Sequence, residues 1–240
     1  MRLYSTACFL CSLLWMHTLP AQSPPATAPA SGTEFSCVSW EKLPFSEIFY
    51  RAGNDYLPLQ MRVNKRSKLY TLDGVPAKLE LYIKGLSPEG ETIYKMIGQA
   101  PMLPRTDRML FFMQPSEDDS GLPVAMYGID DSLEVFPVGS FRFVNTTQVP
   151  LQVIFRDTKE ELPARGMKIL TPEVPKRSGF IPCYVTDMQK NIVYETRLYA
   201  QSRGRKMVFI RAPAELGERV QVRFLGDIVP SPTPPKTDLP

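Results

Sequence analysis

The sequence predicts an all-β fold, two tandem immunoglobulin-like antiparallel β-sandwich units, on three observations. Short runs alternate apolar with polar residues, turn-forming residues separate those runs, and one stretch recurs later in the chain. Alternation is clearest in Leu59-Gln60-Met61-Arg62-Val63, Leu79-Glu80-Leu81-Tyr82-Ile83, Phe141-Arg142-Phe143 and Val220-Gln221-Val222-Arg223-Phe224. A period of two sends one set of side chains to a buried face and the other to water. Asp73-Gly74, Pro88-Glu89-Gly90, Ser120-Gly121 and Ser178-Gly179 mark turns between the runs. Residues 187–202 have some helical character. Ile192, Tyr194, Thr196 and Leu198 alternate there with Glu195 and Arg197, which predicts a hairpin across Met188-Gln189-Lys190-Asn191 instead.

The repeat sets Arg108-Met109-Leu110-Phe111-Phe112-Met113-Gln114-Pro115-Ser116-Glu117 beside Lys206-Met207-Val208-Phe209-Ile210-Arg211-Ala212-Pro213-Ala214-Glu215, 98 positions on. The same offset carries Val124, Met126 and Gly128 onto Val222, Phe224 and Gly226. Weaker matches, at drifting offsets, join Leu81-Tyr82-Ile83 to Cys183-Tyr184-Val185 and Arg62-Val63-Asn64 to Phe143-Val144-Asn145. Units of about 90 residues suit a sandwich domain of roughly 100. The expected organisation is a signal peptide at 1–21, a Pro/Ala/Ser-rich spacer and N-terminal segment at 22–45, sandwich units at 46–135 and 136–229, and a disordered Pro-rich tail at 230–240.

The signal peptide rests on Arg2, the only charged residue before Glu34, followed by the apolar run from Ala7 to Met16 and the break at Leu19-Pro20-Ala21. Cleavage is expected after Ala21. That run is far shorter than the roughly 20 residues that span a bilayer, and later apolar runs are broken sooner, so no transmembrane segment is expected after cleavage. The chain is then exported, to the periplasm or beyond.

Lys and Arg number 28 against 25 Asp and Glu, a net charge of +3, which gives no reason to expect nucleic acid as a partner. Two basic clusters, Lys65-Arg66-Ser67-Lys68 and Arg203-Gly204-Arg205-Lys206, read as solvated strand ends or turns. The single histidine, His17, falls in the signal peptide, so the mature chain should lack Ser-His and Cys-His nucleophile pairs and His-ligated zinc. Of four cysteines only Cys37 and Cys183 remain after cleavage. They are a candidate disulfide in an oxidising compartment, whereas the match of Cys183 to Leu81 favours an ordinary core position.

Other patterns weigh little. Ser39-Trp40-Glu41-Lys42 fits the S-x-x-K of serine–lysine acylating enzymes, but its companion S-D-N and K-T-G elements are missing and Pro44 limits any helix. Asp130-Asp131 and Glu117-Asp118-Asp119 could offer oxygens to calcium, yet no loop pattern for it surrounds them. Asn145-Thr146-Thr147 is an N-glycosylation acceptor by pattern. Trp40, Tyr50, Tyr56 and Tyr70 could meet a sugar or a partner, although packing is the commoner use of such rings. No catalytic, cofactor-binding or metal residue is assigned, and no cofactor is expected.

The stretch Asp130-Asp131-Ser132-Leu133-Glu134-Val135-Phe136-Pro137-Val138-Gly139-Ser140-Phe141-Arg142-Phe143-Val144-Asn145 resembles a D-D-S…F-P-x-G-S-[FY]-R-F-x-N pattern of uncharacterised exported proteins of verrucomicrobial-type bacteria. The likeness extends to Phe49-Tyr50-Arg51-Ala52-Gly53 and to Lys206-Met207-Val208-Phe209. It implies bacterial export and no particular activity. The function expected from all this is a non-catalytic binding or structural module of the cell envelope, with a protein or polysaccharide partner. The alternative is an exported hydrolase that acts on polysaccharide through carboxylates.

Overall fold

The computed structural model describes residues 32–74, 76–116, 121–172, 179–201, 203–213 and 219–228. Residues 1–31 and 229–240, which hold the expected signal peptide, the first ten residues of the 22–45 segment and the tail, lie outside them, as does Glu117-Asp118-Asp119. The described residues form sixteen strands and no helix. In the first half these are β1 (Gly32–Ser39), β2 (Ile48–Ala52), β3 (Asp55–Leu59), β4 (Tyr70–Asp73), β5 (Lys78–Leu86), β6 (Thr92–Pro101), β7 (Arg108–Pro115) and β8 (Val124–Asp130). The second half has β9 (Phe141–Asn145), β10 (Leu151–Phe155), β11 (Thr158–Leu162), β12 (Met167–Leu170), β13 (Gly179–Thr186), β14 (Ile192–Ala200), β15 (Gly204–Arg211) and β16 (Gln221–Ile228).

They pair into four sheets of four strands, β3-β2-β5-β6, β4-β1-β7-β8, β12-β9-β15-β16 and β11-β10-β13-β14. Each pairing of the first half recurs eight strands later. The parallel β1–β7 pair of one half answers the parallel β9–β15 pair of the other, and every other pairing is antiparallel. Even a strand irregularity repeats, after Leu81 in β5 and after Val185 in β13.

Three hydrophobic cores stack these sheets in four layers. Phe35, Tyr50, Leu81, Met109 and Phe111 belong to the core between the first two sheets. Phe143, Val153, Val185 and Val208 belong to the core between the last two. A third core, with Val38, Leu110, Phe136, Met207, Phe209 and Leu225, joins the two middle sheets across their other faces. The middle sheets are therefore covered on both sides, and their central strands show it. Six of the eight residues of β1 are buried, as are six of eight in β15. The outer sheets have one wet face, and β10 accordingly alternates buried with half-buried residues throughout.

This layering explains where the sequence misleads. Of the segment 22–45, the described residues Gly32–Ser39 do not stand apart from the first unit, because they form β1, a central strand of its middle sheet. The two repeated runs do occupy equivalent strands, β7 and β15, but the 98-residue register is off by one. Met109 faces the first core, whereas Met207, its partner at that offset, faces the third. Pairing Phe111 with Val208, 97 positions apart, keeps core against core. Runs that are apolar on both faces lack the period that would fix a register. The match of Arg62-Val63-Asn64 to Phe143-Val144-Asn145 fails outright, since the former lies in the connection after β3 while the latter ends β9. The hairpin across 188–191 forms as expected, with Asp187 Oδ1 accepting from Asn191 N at 2.8 Å.

Candidate functional site

The densest polar construction among the described residues lies where the two middle sheets meet. At the start of β7, Arg108 stands opposite Asp131, whose N–H donates to the Arg108 carbonyl at 2.8 Å. At the start of β15, Arg205 pairs across the ladder with Asp227 of β16. A third guanidinium arrives from the connection between β3 and β4. That connection is fastened along β1 by Asn64 N to Ser39 O, by Ser67 N to Cys37 O and by Cys37 N to Ser67 Oγ, which delivers Arg66 to the cluster.

The three arginines share the two carboxylates. Arg205 Nη2 lies 3.0 Å from Asp131 Oδ2 and 2.9 Å from Asp227 Oδ2, and its Nε donates to the latter at 3.1 Å. Its Nη1 donates to the carbonyls of Asp131 and Phe136, both at 2.9 Å, so all five N–H donors are used. Arg66 bonds both oxygens of Asp131, and Arg108 stands 3.4 Å from Asp131 and 3.5 Å from Asp227. Asp131 and Arg205 are both buried. Burial pushes the Asp227 carboxyl upward, but Arg66, Arg205 and Arg108 outweigh it and hold the group below the usual carboxylate range.

The Asp130–Asn145 connection completes the cluster. Phe136, wholly buried, lies beneath two guanidiniums, 4.5 Å from Arg142 and 4.9 Å from Arg205. Arg142 donates to the Asp130 carbonyl at 2.6 Å, and burial lowers its pKa to about 10. Asp130 is itself held by Thr106 Oγ1 and by Ser132 N. Gly139 adopts φ +83° and Ser140 Oγ closes back on the Pro137 carbonyl. Asn145 Nδ2 donates to the carbonyls of Val149, Leu162 and Pro163, while its Oδ1 accepts from Thr147 N and Oγ1. The D-D-S…F-P-x-G-S-F-R-F-x-N residues thus build the joint between the halves.

Chemically this joint is an ion network in which guanidiniums engage both Asp131 and Asp227, while Arg66 Nε, Arg108 Nε and Arg142 Nε are buried without a hydrogen-bond partner. The calcium reading of Asp130-Asp131 fails because guanidiniums and N–H donors occupy both residues, and no group of metal-ligating side chains occurs among the described residues. Arg66 and Arg205 correct the view of the basic clusters as solvated turns. Each cluster sends one arginine inward, and only the opposite placement of Arg108 and Asp131 in space could have revealed that.

The remaining candidates are scattered. Cys37 and Cys183 are free and buried in different cores, so the disulfide is not formed. Burial raises both thiol pKa values, that of Cys183 to about 12. Ser39 ends a strand, donating to the Glu41 carbonyl at 2.6 Å, so no helical turn sets Lys42 beside it. The buried Asn145 amide is committed to the fold rather than offered as a glycan acceptor. Tyr50 and Tyr70 pack in the first core and Trp40 lies edge-on to Phe209. Tyr56 instead stacks on Tyr94 at 3.9 Å on the outer face of the first sheet, with Phe49 and Tyr82 against them.

Two open clefts lie elsewhere. One, of about 530 Å³, is lined by Arg51, Leu72, Asp73, Lys78 and Glu80 among others. The other, of about 280 Å³, reaches the edge of the ion network between Tyr199, Gln201, Lys206 and Asp227. No helix among the described residues is long and apolar enough to cross a membrane. No family model matches the chain, and no curated protein is significantly similar to it.

Proposed function

We propose that this chain is an exported, non-catalytic binding or structural protein of the cell envelope, built from two tandem immunoglobulin-like units and presenting its outer sheets and loops to a protein or polysaccharide. The supporting observation is the buried Arg–Asp joint. It locks the middle sheets together, leaving the outer faces and the edge strands β3, β6, β11 and β14 as the surfaces that can meet a partner. The resemblance of residues 130–145 to exported bacterial proteins and the leader at 1–21 favour the compartment.

A test is co-sedimentation of the purified chain with washed envelope fractions, polysaccharide and membrane separately, while reducing ends are followed in the supernatant. Saturable binding without release of sugar is expected. Steady release of reducing ends would replace this function by the carboxylate hydrolase. The larger cleft gives that rival a place, since Asp73 and Glu80 both line it, and Glu80→Gln would then abolish the release.

A further inference from the structure

Eight of the apolar residues that cover the middle of the molecule, and two Arg–Asp pairs beside them, come in matched sets. Arg108 and Arg205, Leu110 and Met207, and Phe112 and Phe209 each stand 97 positions apart, on the equivalent strands β7 and β15. Ile129 and Leu225 stand 96 apart, as do Asp131 and Asp227, while Val38 and Val144 are 106 apart on β1 and β9. The apolar members of all these pairs face the third core. The pairs also respect the ladders, because Arg108 sits opposite Asp131 just as Arg205 sits opposite Asp227.

Equivalent residues moreover touch each other. The rings of Phe112 and Phe209 lie 4.7 Å apart. Asp131 and Asp227 share Arg205 Nη2 at 3.0 and 2.9 Å, and they share Arg108 at 3.4 and 3.5 Å. When a patch meets its own equivalent, residue against the same residue, the contact is isologous, the arrangement found at the axis of a twofold dimer. A head-to-tail contact would set each residue against an unrelated one.

We infer that the face joining the halves is a self-complementary pairing surface, a homodimer interface made intramolecular, and that the partner it fits is the same face of a second copy of this chain. The charge pattern favours that occupant. Each half brings one Arg–Asp ladder pair, so two first halves would again set two ladder arginines against two aspartates, with the Arg66 of each half beside them. The apolar set matches in the same way, with Val38, Leu110, Phe112 and Ile129 meeting their own counterparts. In the folded chain the surface is occupied by the other half, and it becomes available to a second copy when the halves part.

The experiment introduces a protease site between Leu133 and Glu134, beside the exposed side chains of Leu133 and Val135 (44% and 45%). The folded protein is cleaved and examined by native mass spectrometry. First and second halves should stay paired one to one, and pairs of two first halves should appear beside them. Arg108→Ala and Arg205→Ala should each weaken the pairing at least tenfold, while Lys78→Ala, outside this face, should leave it unchanged.

Should the insertion disturb folding, the unmodified chain is refolded from urea over a range of concentrations. A dimer of native circular dichroism, growing with concentration, is expected. Cleaved halves that separate, or an absence of both like-with-like pairs and concentration-dependent dimer, would overturn the inference. Sensitivity to only one of the two arginines would do so as well.

Discussion

Asp131→Asn puts the ion network to its hardest test. The substitution keeps the shape of a side chain that is wholly buried and removes its charge. Arg66, Arg108 and Arg205 would then share Asp227 alone, and Arg205 would keep four of its five bonds at full strength, two to Asp227 and one each to the carbonyls of Asp131 and Phe136. Removing one partner of a buried pair costs about 3–5 kcal/mol, because the other charges stay desolvated and uncompensated. For a folded body of this size each kcal/mol moves the melting temperature by roughly 2–4 °C, so a fall of about 10 °C is expected. Urea and thermal unfolding followed by circular dichroism read both quantities. A double-mutant cycle with Asp227→Asn should give a coupling above about 0.5 kcal/mol, since the two carboxylates share guanidiniums. A loss below about 1 kcal/mol, the figure for an exposed ion pair, would refute the reasoning by showing that water still reaches the cluster.

Other consequences are as open to measurement. Lys190 holds φ +70° at the turn where the equivalent hairpin of the first half has Gly90 at φ +85°, so Lys190→Gly should stabilise by about 1 kcal/mol, and an unchanged or lower urea midpoint would contradict this. In a chain that starts at Gln22, Cys37 and Cys183 should resist a thiol reagent until denaturant is added and then titrate as two free thiols, whereas a count of none would restore the disulfide. Asp227 has its pKa lowered in the fold, so its contribution is present above the unfolded value of about 3.9 and is lost as pH falls through the folded one. Asp227→Asn should therefore flatten the acid limb of stability against pH below about pH 5, and parallel limbs would show that the carboxylate is not what the arginines hold.

How legible the fold was depends on the layer. The outer sheets have one wet face, and Leu79-Glu80-Leu81-Tyr82-Ile83 could be read from alternation alone. The middle sheets are wrapped on both sides, so Met109-Leu110-Phe111-Phe112-Met113 shows no period, and its repeat was visible only to within one residue. Gly32-Thr33-Glu34-Phe35-Ser36 was hidden by its polar composition and by the prolines before it, although it becomes the core of a sheet. The joint was harder still. A charged residue in a basic cluster resembles a surface residue, and what draws Arg66 and Arg205 inward is the meeting of segments 22 to 161 positions apart in sequence, which brings them to Asp131 and Asp227. In chain terms Asp131 lies between Arg66 and Arg205, within reach of both only after two sheets have stacked.

The parallel ladder between β1 and β7 has a consequence for how the chain must fold. Glu34 pairs with Arg108, and β4, the other neighbour of β1, pairs Phe35 with Tyr70. A chain emerging from its N-terminus therefore carries β1 for dozens of residues before either flank exists, and the second half repeats the wait with β9. Long-range pairings of this kind make folding slow and leave unpaired strands open to the wrong neighbour meanwhile. The first of the described strands is among the last to be sealed, and Phe35, Cys37 and Val38 stay unpaired on one side until β7 arrives.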